Sequence, residues 1–317
     1  MKLKDKNILV TGGAGFIGSH LVDELVEIGA NVIVVDNLKD GTLENLKESI
    51  DRIKFYDTDV RDYQRIKEIL ESHSVEVVFH LAANANVPYS VKHPEYDFET
   101  NAVGTFNILK ASLDTDVKKV IYASSAAVYG EPEYTPIDEK HPLNPISPYG
   151  ASKLAGERLG FAYYKTYGLP FVAMRIFNTY GPRQRRYVMY DLIQKLKRNP
   201  KELEVLGTGE QVRDYCYVKD TVRAFILAAE SSKSTGEAYN IAGGNPISIK
   251  ELVDLILEVM GLKGITKVHY TGQSWKGDIK TLIADISKIK KDLGFKPKYA
   301  LKDGIRDLLN YLLELEV

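Results

Sequence analysis

The sequence predicts an α/β fold, a doubly wound parallel sheet followed by a smaller C-terminal α/β domain. Three observations lead there. Short apolar, β-branched runs alternate with amphipathic stretches through the first half. A glycine-punctuated turn, T-G-G-A-G-F-I-G, joins the first such run to the first amphipathic stretch. The rhythm then changes at Gly181-Pro182, and shorter, less regular segments follow.

Strands are expected at residues 7–11, 31–35, 54–57, 77–80, 119–123 and 171–176, with helices at 16–28, 43–49, 63–72, 96–112 and 149–167 between and after them. Strands of this composition, separated by helices, are buried on both faces, as in a parallel sheet. A first domain is placed at 1–178 and a second region at 179–317, with some later segments returning to the first. The second region opens on the basic stretch R-Q-R-R-Y, before a helix at 188–198, and carries the loop G-T-G-E-Q at 207–211.

Composition narrows the classes. The 317 residues suffice for one large or two moderate domains. Lys+Arg 42 against Asp+Glu 43 leaves a net charge of -1, which gives no general electrostatic case for nucleic acid or an anionic membrane. The single cysteine, Cys216, forms no internal disulfide and no zinc cluster; no metal is expected, and the thiol suits a reducing cytosol. The first residues carry no apolar signal core, and no apolar run approaches the ~20 residues that span a bilayer. A soluble, cytoplasmic protein is expected.

In the turn, Gly12, Gly15 and Gly18 recur at three-residue spacing. Glycine there lets the backbone turn tightly, approach a pyrophosphate and pack the helix on the strand, and the helix N-terminus presents free N–H groups to phosphate. Such a turn also serves packing alone; its place between strand and helix is what makes it Rossmann-like. The second strand ends in Asp36-Asn37. An acid there accepts hydrogen bonds from the adenine ribose and repels a 2'-phosphate, so NAD is favoured over NADP. Asp59-Val60 follows the third strand, where the aspartate meets the adenine amine, caps the next helix, or does both. His80-Leu81-Ala82-Ala83 ends the fourth; its small residues admit close approach of the cofactor, whereas His80 alone reads as a core histidine. The cofactor contacts expected at the turn are Gly12, Gly15, Phe16, Ile17 and Gly18.

Tyr149 and Lys153 lie four apart in Y-G-A-S-K and share one helix face. An ammonium beside a phenol lowers the phenol's pKa toward the range of a general base, and a serine hydroxyl from 124–125 would complete the contact with a substrate hydroxyl. Among 20 tyrosines a Y-x-x-x-K match arises by chance; its position downstream of a serine-bearing strand end gives it weight.

At this point the chain resembles the extended short-chain dehydrogenase/reductases, the nucleotide-sugar epimerases and dehydratases in particular. The resemblance runs nearly end to end: T-G-G-A-G-F-I-G-S-H at 11–20, D-N at 36–37, D-V-R-D at 59–62, H-L-A-A at 80–83, S-S-A-A-V-Y-G at 124–130, P-Y-G-A-S-K at 148–153, R-I-F-N-T-Y-G-P-R-Q at 175–184, G-T-G-E-Q-V-R-D-Y at 207–215, G-D-I-K at 277–280 and A-D-I-S-K at 284–288. It implies NAD as cofactor, Tyr149 as catalytic base, Lys153 as the holder of the nicotinamide ribose, and Ser125 as the hydroxyl assisting at the sugar's C4 oxygen. Ser124 would lie toward the cofactor, with Phe177 against the nicotinamide and Asn101 near it on a dimer-forming helix. Asn178 and Arg213 would hold substrate phosphate and Asp278 the nucleotide ribose.

The resemblance also orders the reactions. Relatives that expel water carry an Asp-Glu pair directly after the hydroxyl residue, and decarboxylating ones a Glu in that region; here Ala126 and Ala127 stand there. Methyl groups move no protons, which leaves return of hydride with inversion at C4: 4-epimerisation of a UDP-hexose, UDP-glucose and UDP-galactose first. Small strand-end packing residues would look the same. Lys280 replaces a frequent arginine and Trp275 another, leaving the diphosphate grip open. Leu282 falls where residue size governs room for an N-acetyl group at C2, so UDP-GlcNAc/UDP-GalNAc stays a candidate. UDP-glucuronate does too, and would want a cation near C6. An NAD-sensing regulatory protein on the same scaffold is the non-enzyme rival. The helices at 96–112 and 149–167 imply a homodimer through a four-helix bundle.

Overall fold

A computed structural model describes residues 1–273 and 279–315. Its centre is a seven-stranded sheet of β1 (Asn7–Thr11), β2 (Asn31–Asp36), β3 (Ile53–Asp57), β4 (Val77–His80), β5 (Lys119–Ser125), β6 (Phe171–Ile176) and β10 (Ala238–Ile241). The spatial order is β10-β6-β5-β4-β1-β2-β3, every pairing parallel. Side-chain alternation explains the helices on both faces. Ile8, Val10, Val77 and Phe79 point into one apolar core, with Leu21 and Leu25 of α1 (Phe16–Ile28) and Phe225 of α8 (Val218–Glu230). Leu9, Ile33 and Val78 point into the other, with Ile66 of α2 (Tyr63–Ser72) and Ile108 of α5 (Gly104–Asp114).

The chain runs outward from β1 to β2 and β3, then crosses back to β4 beside β1. The carboxyl ends of β1 and β4 therefore diverge, and the loops after them open a crevice where this fold binds ligands.

After β6 the chain builds a second lobe with its own core. Here β9 (Val212–Tyr217) pairs with β7 (Asn178–Tyr180), β11 (Pro246–Ser248) and β13 (Thr281–Leu282), and β8 (Glu202–Val205) pairs with β12 (Lys267–Tyr270). Around them lie α7 (Val188–Arg198), α9 (Ile249–Val259) and α11 (Leu301–Glu314). The division by residue number is not a division in space, since β10 and α10 (Ser287–Leu293) return to the first sheet.

Three expected helices differ. At 43–49 there is a 3-10 turn, Leu43–Leu46, capped by the Thr42 hydroxyl accepting from Glu44 N at 3.3 Å. The segment after α3 (Val87–Lys92) is α4 (Pro94–Phe98), a π-helical turn (Glu99–Val103) and then α5, and such turns cluster at functional sites. The helix after β5 begins one residue early: α6 (Pro148–Tyr167) has proline at its first turn, and Ser147 accepts from Gly150 N at 3.1 Å. Among the described residues no helix is long and apolar enough to cross a membrane.

Candidate active site

The cofactor wall is backbone against backbone. Gly12 has φ +70°, and a Cβ there would lie 2.7 Å from Ala82 N; one on Gly18 would lie 2.1 Å from the Gly12 carbonyl oxygen. Gly15 caps α1 without a side chain, so its first-turn N–H groups are left to a phosphate. Phe16 and Ile17 pack against the second lobe's core. Across the turn, Leu81 N donates to Thr11 O (3.1 Å) and Ala82 N to Thr11 Oγ1 (3.2 Å), and Ala83 follows.

Asp36 is buried at the end of β2, accepting from Ala14 N and Leu38 N, both at 2.9 Å. Burial pushes its carboxyl up, and these two bonds oppose the shift. Beside it Asn37 Nδ2 donates to Asp59 Oδ2 at 2.8 Å. Burial alone would raise Asp59 as well; bonds from Arg61 and Asn37 outweigh it and hold the carboxyl at about 2. Asp59 does not cap the next helix, since Asp62 does, accepting from Arg65 N at 3.0 Å. Val60 is buried and its carbonyl accepts from Asn107. His80 is a core histidine: Thr11 and Thr105 hydroxyls meet its ring nitrogens at 2.7 and 3.0 Å, and burial drives its pKa to about 3.

Tyr149 enters the crevice from the first turn of α6, its backbone N donating to Ser90 Oγ at 3.2 Å. Lys153, one turn on and 3% exposed, puts Nζ 4.4 Å from the centre of the Tyr122 ring. Among the described residues its Nζ makes no hydrogen bond or ion pair, while its carbonyl accepts from Tyr122 Oη at 3.1 Å. Burial lowers Lys153 to about 7, against upward pulls from Asp97 and Glu157. The expected lowering of the phenol by the lysine is not seen. Burial pushes Tyr149 well above the ordinary phenol range, and the groups that pull it down are Ser125 and Arg186. Ser125 ends β5, half-buried, its Oγ accepting from Ala127 N at 3.2 Å. The Ser124 hydroxyl turns inward and donates to Glu157 at 2.7 Å. Ala126 packs into the apolar core, whereas Ala127 is half-buried.

On the opposite side, Phe177 is buried against Tyr129 at 6.3 Å, and the Asn178 Nδ2 is buried without a partner among the described residues. Arg213 lies across the strand pair from Leu282 and donates to Val212 O at 2.9 Å. Lys280 joins through its backbone, its carbonyl accepting from Val212 N at 2.9 Å. Trp275 and Asp278 lie outside the described residues. Asn101 sits in the π-helical turn, fully engaged by Asn84, Asp97 and Ser152. The 183–187 loop reaches the crevice from the second lobe: Tyr187 Oη donates to Ala85 O at 2.6 Å, Arg186 approaches Asp40 at 3.8 Å, and Arg183 pairs with Asp23 at 2.7 Å.

Residues 9–308 match the family model described as GDP-mannose 4,6 dehydratase. The chain belongs to the extended short-chain dehydrogenase/reductase family of nucleotide-sugar epimerases and dehydratases. A putative UDP-glucose 4-epimerase of Methanocaldococcus jannaschii is 40% identical over 96% of this chain and 98% of its own. A solved UDP-glucose 4-epimerase of Thermotoga maritima, with UDP-glucose, superposes with TM-score 0.92 at 38% identity, over 98% of this chain and 100% of that one. A UDP-glucuronic acid 4-epimerase of Bacillus cereus, in complex with UDP-glucuronic acid and NAD, gives 0.90 at 32%, over 98% and 99%.

Solved relatives from Bacillus cereus and Streptomyces venezuelae hold NAD, and the glycine turn, Asp36 and Lys153 of this chain fit that cofactor. Spacing missed several residues that shape the site. Glu157 is fully buried in an ion pair with Arg175, and Asp97 is fully buried behind Ser152. Only the four-residue step from Lys153 to Glu157 was visible in advance.

Proposed function

We propose that this chain interconverts UDP-glucose and UDP-galactose by inverting C4 through a transient 4-keto sugar, as a cytoplasmic homodimer serving galactose metabolism. NAD, when bound, takes up and returns the hydride at C4. Tyr149 accepts the C4 hydroxyl proton and gives it back after the sugar turns, and Ser125 orients that oxygen. The raised phenol has a consequence: it becomes an effective base only when positive charge gathers beside it, and Lys153 is the cation one turn away. Lys153 holds the cofactor ribose, Phe177 backs the nicotinamide, and Asn178, Arg213 and Asp278 hold the nucleotide. The observation that carries the reading is the pair of methyl groups after Ser125. With no carboxyl at 126 or 127 to move a proton at C5 or C6, the ketone has only hydride return left.

One observation favours a second reading. Arg186 and Tyr187 lie close enough to Tyr149 to shift its titration, and Arg185, directly before them in the chain, is exposed. A uronate would find its cation in that loop. The dimer is supported by exposed Phe98, Val103 and Phe106 on α4–α5 and Tyr167 on α6.

The test is the purified protein with UDP-glucose, UDP-galactose, UDP-GlcNAc and UDP-glucuronate, products separated and identified. Failure to interconvert the first two sinks the primary reading, and turnover of UDP-glucuronate alone replaces it with the second. Sedimentation as a monomer at micromolar concentration would overturn the dimer.

A further inference from the structure

We propose that Asp97 and Glu157 are positioning residues for the cofactor, two buried carboxylates, one on α4 and one on Lys153's own helix, that keep Lys153 an ammonium. The inference rests on the reading of Lys153 as the ribose holder. Neither residue was singled out by motif, and neither pairs with Lys153 directly.

Each carboxylate is locked by its own network. Asp97, at 0% exposure on α4, accepts from Asn84 Nδ2 at 2.6 Å and Asn101 Nδ2 at 3.2 Å through Oδ1, and from Ser152 Oγ at 2.6 Å through Oδ2. Ser152 is the residue before Lys153, so this charge is held behind the lysine's own backbone. Glu157, also at 0%, stands one turn along α6 from Lys153. It accepts from Arg175 at 2.5 and 3.1 Å and from Ser124 at 2.7 Å, and Arg175 reaches on to Tyr129 at 2.9 Å.

The donors that meet the Asp97 carboxylate, Asn84, Asn101 and Ser152, are all neutral, so none of them cancels its charge. Its field reaches Lys153, whose burial favours the neutral amine. Among the described residues, the charges that act on Lys153 are those of Asp97 and Glu157. His80 on β4 has its pKa driven by burial to about 3 and is neutral well above that pH. The Tyr122 phenol on β5 and Tyr149 on α6 are both pushed up, hence also neutral. Arg175 is the one nearby cation named in these networks, and it is committed to Glu157.

The sign follows. Lys153 sits at about 7 with both carboxylates raising it, so removing either moves the loss of the ammonium to lower pH. At low pH, where the lysine is charged regardless, affinity for the cofactor is kept.

The experiment reads NADH affinity by fluorescence across a pH range bracketing 7 for the NAD-stripped full chain, with no sugar present. Asp97→Asn keeps the shape and an acceptor for Asn84 and Asn101, turns the group facing Ser152 into a donor, and removes the charge. Its alkaline loss of affinity should set in about one pH unit earlier, with unchanged affinity at the acid end. If Asp97→Asn does not fold, the pair Glu157→Gln with Arg175→Gln removes the second charge without stranding a buried cation, and the same shift is expected. Uniform weakening with an unmoved midpoint would mean a structural role only and overturns the inference. Lys153→Met separates the two levels. If it leaves affinity and its pH dependence intact, the ribose-holding reading falls and the inference with it. If it abolishes the alkaline loss while Asp97→Asn leaves the midpoint in place, the inference falls alone.

Discussion

On the cofactor wall of the crevice, Gly12 meets Ala82 and Gly18 meets Gly12 through main-chain atoms, with no space for a Cβ. On the proposed sugar wall, the positions are side chains delivered by distant segments: Asn178 from β7, Arg213 from β9, and Arg185, Arg186 and Tyr187 from one loop. A wall made of backbone tolerates one residue type at each turn position and so recognises one fixed ligand part. A wall made of side chains on loops changes its ligand by substitution without disturbing the sheet. That contrast fits two solved relatives that hold NAD while acting on different nucleotide sugars, a UDP-glucuronic acid 4-epimerase and a dTDP-glucose 4,6-dehydratase.

The largest effect should come from the backbone wall. Gly18→Ala places a methyl 2.1 Å from the Gly12 carbonyl, and neither atom belongs to a flexible side chain. We expect destabilisation of about 3 kcal/mol or more and purified protein without NAD, read by thermal melting and by the cofactor released on denaturation. Near-normal NAD content would show that this wall gives way and would erase the contrast.

Next is Tyr149→Phe, which leaves both walls intact and removes one proton-carrying oxygen. Turnover should fall by roughly 10²–10⁴ with NAD content unchanged. A near-normal rate would mean that Tyr149 is not the base.

Arg185→Ala probes the sugar wall alone. Loss of one charge-assisted contact lowers turnover of UDP-glucuronate about tenfold to a hundredfold, if that substrate is used, and should change UDP-glucose turnover less than about threefold. Equal losses on both sugars would remove the uronate reading.

The same contrast governs what was legible in the sequence. The strands 7–11, 77–80 and 171–176 and the helix 16–28 were readable to the residue, because period and glycine placement are local. The seven-stranded order also contains β10, which no local pattern assigns to the first sheet. The π-helical turn at Glu99–Val103 interrupts a stretch whose apolar pattern reads as continuous helix. Glu157 and Arg175 are 18 residues apart on different elements, and their pairing exists only after β6 lies beside β5. The direction of the Tyr149 shift was unreadable for a related reason: spacing shows which groups share a face, but not how much water reaches them.

The smallest expected effect lies where the two walls touch. The segment after Asp36 carries Asn37, bonded to Asp59, and then Lys39, whose Nζ rests 3.2 Å from the centre of the Tyr96 ring and 5.3 Å from that of Tyr89. One residue on, Asp40 faces Arg186 of the sugar-side loop at 3.8 Å. Lys39 thus pins the adenine-side strap to α3 and α4 by a contact at the solvent edge. Such a cation–π contact is worth about 0.5–1 kcal/mol, so Lys39→Ala should speed NAD release about two- to fivefold. Because the glycine turn and Asp36 are untouched, the purified variant should still carry its cofactor. Stopped-flow displacement of bound NADH measures the rate. An unchanged rate would place the pin outside the release path, leaving the backbone wall alone to retain the cofactor.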